Sequence, residues 1–293
     1  MRLRTLNSLL LGFALPAVCL AQDWDAVAQA KSWARQDVTG AFVFREGNLL
    51  RTWTRDGSLS GSVDISKVEN TPEFWVMDTW DRAWVVAGTT LTAIDKTGKV
   101  VKKDTLPGNV ADLAWDGDAF YLSYRTETYY VEKRAFKTGD PIWTAGTKPR
   151  KGDAPAPRFY RISPIAGGLL AVSMGAEMNY TILQASTGKA QGQTSLALAN
   201  APVPALQALS PERLPLLWWE AGSQLLAALP ASQLAPAMKG TLTGLILARI
   251  DLSKGTLALV PTGLEEGAQF VGALDAEVTF VKPGGGLVFL QLK

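Results

Sequence analysis

From residue 40 onward, short apolar or aromatic runs alternate with clusters of Gly, Asp, Asn, Thr and Lys. Short runs bounded by turn residues predict strands. Long helical periodicity is almost absent. The exception is Asp23 to Gln36, where Asp23 can cap and Trp24, Val27, Ala28, Ala30, Trp33 and Ala34 form a loose apolar stripe. That stripe predicts a short N-terminal helix packed on its own domain.

A tight turn recurs between two of the predicted strands. Its versions are Thr54-Arg55-Asp56-Gly57-Ser58, Asp95-Lys96-Thr97-Gly98-Lys99, Phe136-Lys137-Thr138-Gly139-Asp140, Ala185-Ser186-Thr187-Gly188-Lys189 and Leu252-Ser253-Lys254-Gly255-Thr256. Glycine supplies the positive φ that such a turn requires. The glycines are 41, 41, 49 and 67 residues apart. A period just above forty made only of strands predicts four-stranded propeller blades.

Two units show the plan most clearly. In one, strands are predicted at Phe74–Thr79, Ala83–Ala87, Leu91–Asp95 and Val100–Thr105. In the next they fall at Val110–Ala114, Ala119–Tyr124, Tyr129–Phe136 and Pro141–Ala145. Residues 159–196 form a third copy and 205–260 a longer fourth, while 41–65 and 268–292 each offer about three strands. The pattern therefore predicts an all-β fold, a β-propeller of six blades at about 45 residues each, with five blades as the alternative. A ring leaves no free sheet edge between blades. Most of the ten tryptophans are expected to pack between neighbouring blades.

The phrase Val76-Met77-Asp78-Thr79-Trp80-Asp81-Arg82-Ala83-Trp84-Val85-Val86-Ala87, with Ile94-Asp95 and Gly98-Lys99 after it, resembles the repeat of NHL-type and related bacterial propellers. The resemblance covers about three of the units. It implies the fold and carries no catalytic residue or partner, because propellers host many functions.

The N-terminus adds a compartment. Arg2 and Arg4, the apolar run Leu6–Leu15, Pro16 and the small residues before Gln22 read as a secretory leader over residues 1–21. The alternatives are an uncleaved anchor or, on Cys19, a lipid; Pro16-Ala17-Val18 before that cysteine fits a lipobox poorly. The predicted organisation is a leader over 1–21, an N-terminal segment over 22–39 and the propeller over 40–293, exported to the periplasm or the extracellular space of a bacterium. No membrane span is expected once the leader is removed.

Composition then narrows the chemistry. The chain has 29 basic and 27 acidic residues; removing Arg2 and Arg4 with the leader makes it formally neutral. A neutral chain lacks the electrostatic footprint of a nucleic-acid binder. Cys19 is the one cysteine and leaves with the leader, and there is no histidine. Disulfides, thiol nucleophiles, Ser-His-Asp triads and His-ligated metals are thereby excluded from the mature chain. No cofactor is expected.

Site candidates come from departures from the repeat. Turns joining first to second and third to fourth strands lie on one face of a propeller; the other connections lie on the opposite face. Two long irregular stretches are assigned to that opposite face. Gly146–Pro157 carries Lys148, Arg150 and Lys151, and Arg158 follows it. Ala221–Gly240 is read as a loop between second and third strands, preceded by Trp218, Trp219 and Glu220 at a strand end. Long loops in compact domains are often functional. These residues are the candidates for binding a protein partner or ligand. The reading is a non-catalytic envelope propeller acting as a protein-interaction or scaffold module. The alternative is a small-ligand-binding or calcium-dependent hydrolase of the lactonase type, with Glu73, Asn109 and Glu266 near inner-strand starts as metal ligands. Arg158 occupies a corresponding position and would repel a cation, and no Asp completes the set.

Overall fold

A computed structural model describes residues 35–36, 41–54, 58–78, 82–124, 130–146, 161–165, 168–174, 178–196, 217–220, 224–234, 240–251, 254, 256–274, 276–283 and 286–292. Their strands form six antiparallel sheets, five of four strands and one of three. The first contains β1 (Arg35–Gln36), β2 (Phe42–Glu46), β3 (Leu49–Trp53) and β4 (Leu59–Asp64). The second contains β5 (Phe74–Met77), β6 (Ala83–Ala87), β7 (Thr90–Ile94) and β8 (Val100–Thr105). The third contains β9 (Val110–Trp115), β10 (Ala119–Tyr124), β11 (Val131–Ala135) and β12 (Pro141–Ala145). The fourth contains β13 (Arg161–Ile165), β14 (Gly168–Met174), β15 (Met178–Gln184) and β16 (Ala190–Leu196). The fifth contains β17 (Leu217–Glu220), β18 (Gln224–Pro230), β19 (Leu245–Asp251) and β20 (Thr256–Pro261). The last contains β21 (Gln269–Leu274), β22 (Glu277–Val281) and β23 (Leu287–Gln291).

Each sheet is a meander in chain order, and the sheets are arranged as a ring. First strands meet first strands: β5 with β9, β9 with β13, β13 with β17, β17 with β21, and β21 with β1. The β2–β5 contact completes the circuit. This is a β-propeller, with first strands at the axis and fourth strands at the rim.

Burial follows from that geometry. In the second sheet, Ala83 through Ala87 are all buried, whereas β8 alternates half-buried and exposed positions. A strand covered on both faces tolerates a continuous apolar run; a rim strand alternates. Side chains of β6 and β10 interlock between sheets: Trp84 lies 5.4 Å from Phe120, centroid to centroid, and Phe120 lies 5.5 Å from Phe136, which follows β11 in its own sheet. At the closure of the ring, Phe42, Phe44 and Trp53 share a cluster with Val271 and Val281.

Three expectations change. Residues 23–34 of the predicted helix lie outside the described residues, but Arg35–Gln36 at its end form β1, paired with Val43 and Phe42. Pairing with β2 and the contact with β21 hold these two residues extended. The first sheet consequently has four strands, where the sequence suggested about three. The stretch Ala221–Gly240, read as one loop, contains β18, whose ladder with β19 runs from Gln224↔Asp251 to Pro230↔Leu245. Its Ala-rich composition and terminal proline concealed a strand whose Leu226, Ala227 and Leu229 are buried.

Candidate partner-binding surface

The two faces differ in the length of their connections. Between described strands, no turn joining first to second or third to fourth strands exceeds five residues. On the opposite face, 15 residues separate β12 from β13, 20 separate β16 from β17, and 14 separate β18 from β19. Hydrogen bonds hold parts of this face together. Ser232 donates both its N–H and its hydroxyl to Glu266, each at 2.7 Å, tying the β18–β19 connection to the β20–β21 connection.

Two of the short turns, β11–β12 and β15–β16, are held by side chains of the preceding blade. Trp84 Nε1 donates to the Phe136 carbonyl at 3.0 Å, and its ring lies directly on Gly139. Trp143 Nε1 donates to the Ala185 carbonyl at 2.9 Å, and a Cβ on Gly188 would sit 2.5 Å from its Cε3. In both cases an indole of one blade bonds the carbonyl three residues before the turn glycine of the next. Arg82 donates to the Lys137 carbonyl, and Lys102 to the Thr138 carbonyl at 2.9 Å. Lys102 also pairs with Asp140 at 2.6 Å; their hydrogen bond raises the lysine pKa and lowers that of the aspartate. The glycines were legible in the sequence. Packing of tryptophans between blades was expected too, but not which turn each covers, 55 and 45 residues away.

A buried polar network joins the second and third blades. Arg134 donates through Nε to Glu132 at 3.0 Å, and through a terminal nitrogen to Asp104 at 3.0 Å and the Gly139 carbonyl at 2.8 Å. The Tyr124 hydroxyl donates to Glu132. Burial, followed by that hydrogen bond, pushes the Tyr124 pKa far up; burial and a 2.5 Å bond to Asp116 do the same for Tyr121. A pKa raised on folding gives stability that is complete below the unfolded value, about 10 for tyrosine, and is lost as pH rises beyond it. Base unfolding is therefore expected to begin above about pH 10. Tyrosinate absorbance and near-ultraviolet circular dichroism should change together. Ionisation of these tyrosines near the free value with the fold intact would contradict the assignment.

The sequence-chosen residues separate. Lys148, Arg150, Lys151 and Arg158 fall between β12 and β13, outside the described residues. Trp218, Trp219 and Glu220 lie on β17, a first strand, and lead into the β17–β18 turn on the short-turn face. Their expected position at the long-loop face is thus corrected: β17 opens its sheet, whereas the sequence reading had placed a strand before it. Glu73, Asn109 and Glu266 all precede first strands. Glu73 accepts the Gly88 N–H at 3.3 Å, and Glu266 holds Ser232. Among the described residues, no three His, Cys, Asp or Glu side chains are grouped to hold a metal ion, and no helix is long and apolar enough to cross a membrane.

No known family model matches the chain, and no curated protein matches it. Solved structures do. A chain in the crystal structure of a mitotic checkpoint complex superposes with a TM-score of 0.51 at 10% identity, covering 89% of this chain and 90% of that one. BamB from Moraxella catarrhalis gives 0.45 at 14% identity, covering 88% and 72%. KlHsv2 with loop 6CD replaced by a Gly-Ser linker gives 0.47 at 10% identity, covering 84% and 73%. At these identities the likeness is one of fold.

Proposed function

We propose that this chain is a non-catalytic, six-bladed propeller of the bacterial envelope that holds a protein partner on its face of long connections. The observation that carries the reading is the asymmetry of the two faces. The short turns stay at five residues or fewer, and two of them are packed by the preceding blade, whereas departures from the repeat collect on the other side. Interaction residues favour loops positioned by a rigid scaffold. Lys148, Arg150, Lys151 and Arg158 give one long connection a basic character suited to an acidic patch on the partner. Trp218, Trp219 and Glu220 lie on an axial strand and are not part of this surface. Export by the leader at residues 1–21 places the protein in the periplasm or outside the cell.

The test replaces Lys148, Arg150 and Lys151 together with Ser and measures binding of the partner captured from the native envelope. Peripheral charges act mainly through association rate and salt sensitivity. The variant is expected to associate more slowly and with a shallower salt dependence, at an unchanged melting temperature. Parent-like binding at every salt concentration would count against the basic connection.

A further inference from the structure

The rim strands of a propeller are sheet edges, and edges need protection from pairing with other chains. The first four sheets carry such protection. Each ladder between third and fourth strands breaks register: at Thr52/Trp53, Ala93/Ile94, Lys133/Arg134 and Thr181/Leu183. Their rim strands add Asp64 on β4, Lys102, Lys103 and Asp104 on β8, Pro141 at the start of β12, and a polar run of Gln, Thr and Ser on β16.

β20 lacks these devices. Its ladder with β19 runs unbroken from Asp251↔Thr256 to Ile246↔Pro261. Its sequence, Thr-Leu-Ala-Leu-Val-Pro, has no charge, and proline stands only at its end. The Thr262 N–H bonds the Leu245 carbonyl at 3.3 Å. By antiparallel alternation, Val260, Ala258 and Thr256 direct their backbone groups at β19. Leu257 and Leu259 then direct theirs outward. Both side chains are half-buried and Ala258 between them is exposed.

We propose that the β20 edge is a strand-addition site that takes an extended, uncharged segment of the partner protein as a fifth strand. This rests on the reading of the chain as a partner-binding propeller. An outward row of N–H and C=O groups is matched group for group by another extended backbone, and alternate apolar side chains set its register. A second copy is the weaker occupant. Two six-residue strands meeting edge to edge bury far less than the roughly 1,200 Å² of a stable interface.

The probe is a fluorescein-labelled peptide of eight alternating Thr and Val residues with a two-lysine tail, followed by anisotropy. Its twin is N-methylated at alternate residues along one edge. The parent protein is expected to bind the first peptide at least tenfold more tightly than the twin. Leu259→Lys, which guards the edge with charge, and Leu259→Pro, which removes an outward N–H, are each expected to weaken binding at least tenfold. Val101→Lys on the already guarded β8 is expected to leave it unchanged. Melting curves establish that each variant folds, and the lysine variant suffices if the proline variant does not. Equal binding of the twin, no binding by the parent, or parent-like binding by Leu259→Lys would overturn the proposal. So would a parent dimer in sedimentation that Leu259→Lys converts to monomer. A native partner that crosslinks at residue 150 yet binds Leu259→Lys like the parent would sink the edge and leave the proposed face standing.

Discussion

Gly139→Ala is expected to destabilise the protein by roughly 2–5 kcal/mol, the sum of a strained backbone and an overfilled contact. The backbone part is set by φ of +71°, a conformation that costs alanine about 1–2 kcal/mol. The contact part arises because the new methyl would overlap the ring of Trp84, itself fully buried. Overfilling a packed site costs about 1–3 kcal/mol. Gly263 separates the two terms. Its φ is +73°, and a Cβ there meets nothing within 4 Å. Gly263→Ala should therefore show the backbone cost alone, and Gly139→Ala should exceed it in urea unfolding. Adding Trp84→Phe to Gly139→Ala should recover part of the overlap, so the two substitutions should be non-additive. Equal losses at Gly139 and Gly263 would mean that the turn does not rest on the tryptophan.

The second large effect belongs to Arg134. Arg134→Met leaves the Glu132 carboxylate without the guanidinium that faces it in a site where both side chains are 6% exposed. Removing one member of a buried ion pair costs about 3–5 kcal/mol. Pairing Arg134→Met with Glu132→Gln removes the stranded charge and should recover a substantial part of that loss. Asp104, which also faces Arg134, is more exposed at 28% and can return to water. The measurement is a double-mutant cycle by chemical denaturation. A double variant as unstable as the sum of its parts would show that the network acts through packing and not through charge.

How far the sequence exposed this fold depends on the strand. Between Phe74 and Ala145 nearly every apolar run is bounded by an Asp or Gly turn, and Ala83–Ala87, Val100–Thr105, Ala119–Tyr124 and Pro141–Ala145 fall where the pattern puts them. Local signals suffice there because turn chemistry and burial agree. β1 is two residues long and exists through its pairing with β2, so local periodicity could not find it. β18 lies in a stretch punctuated by Gly222, Pro230 and Pro236 and itself ends at Pro230, features that read as loop until β17 and β19 flank it. That miss had a topological consequence. In a meander, each strand counted or omitted reverses the face on which the next connection emerges. Reading Leu217–Glu220 as a second strand sent Trp218 and Trp219 to the wrong face. The glycine turns were legible because positive φ leaves a residue signature; the indoles resting on them act across blades and leave none.

The long-connection face is tested most directly by crosslinking in the native envelope. A photoreactive amino acid is placed at residue 150 or at Thr241 on the long-connection face, and at Lys96 or Lys137 in the short turns. Lys96, Lys137 and Thr241 are all exposed, so access does not favour one face. The account predicts a discrete protein adduct from residue 150 or Thr241, and none from Lys96 or Lys137. Adducts from Lys96 and Lys137, with none from residue 150 or Thr241, would contradict it.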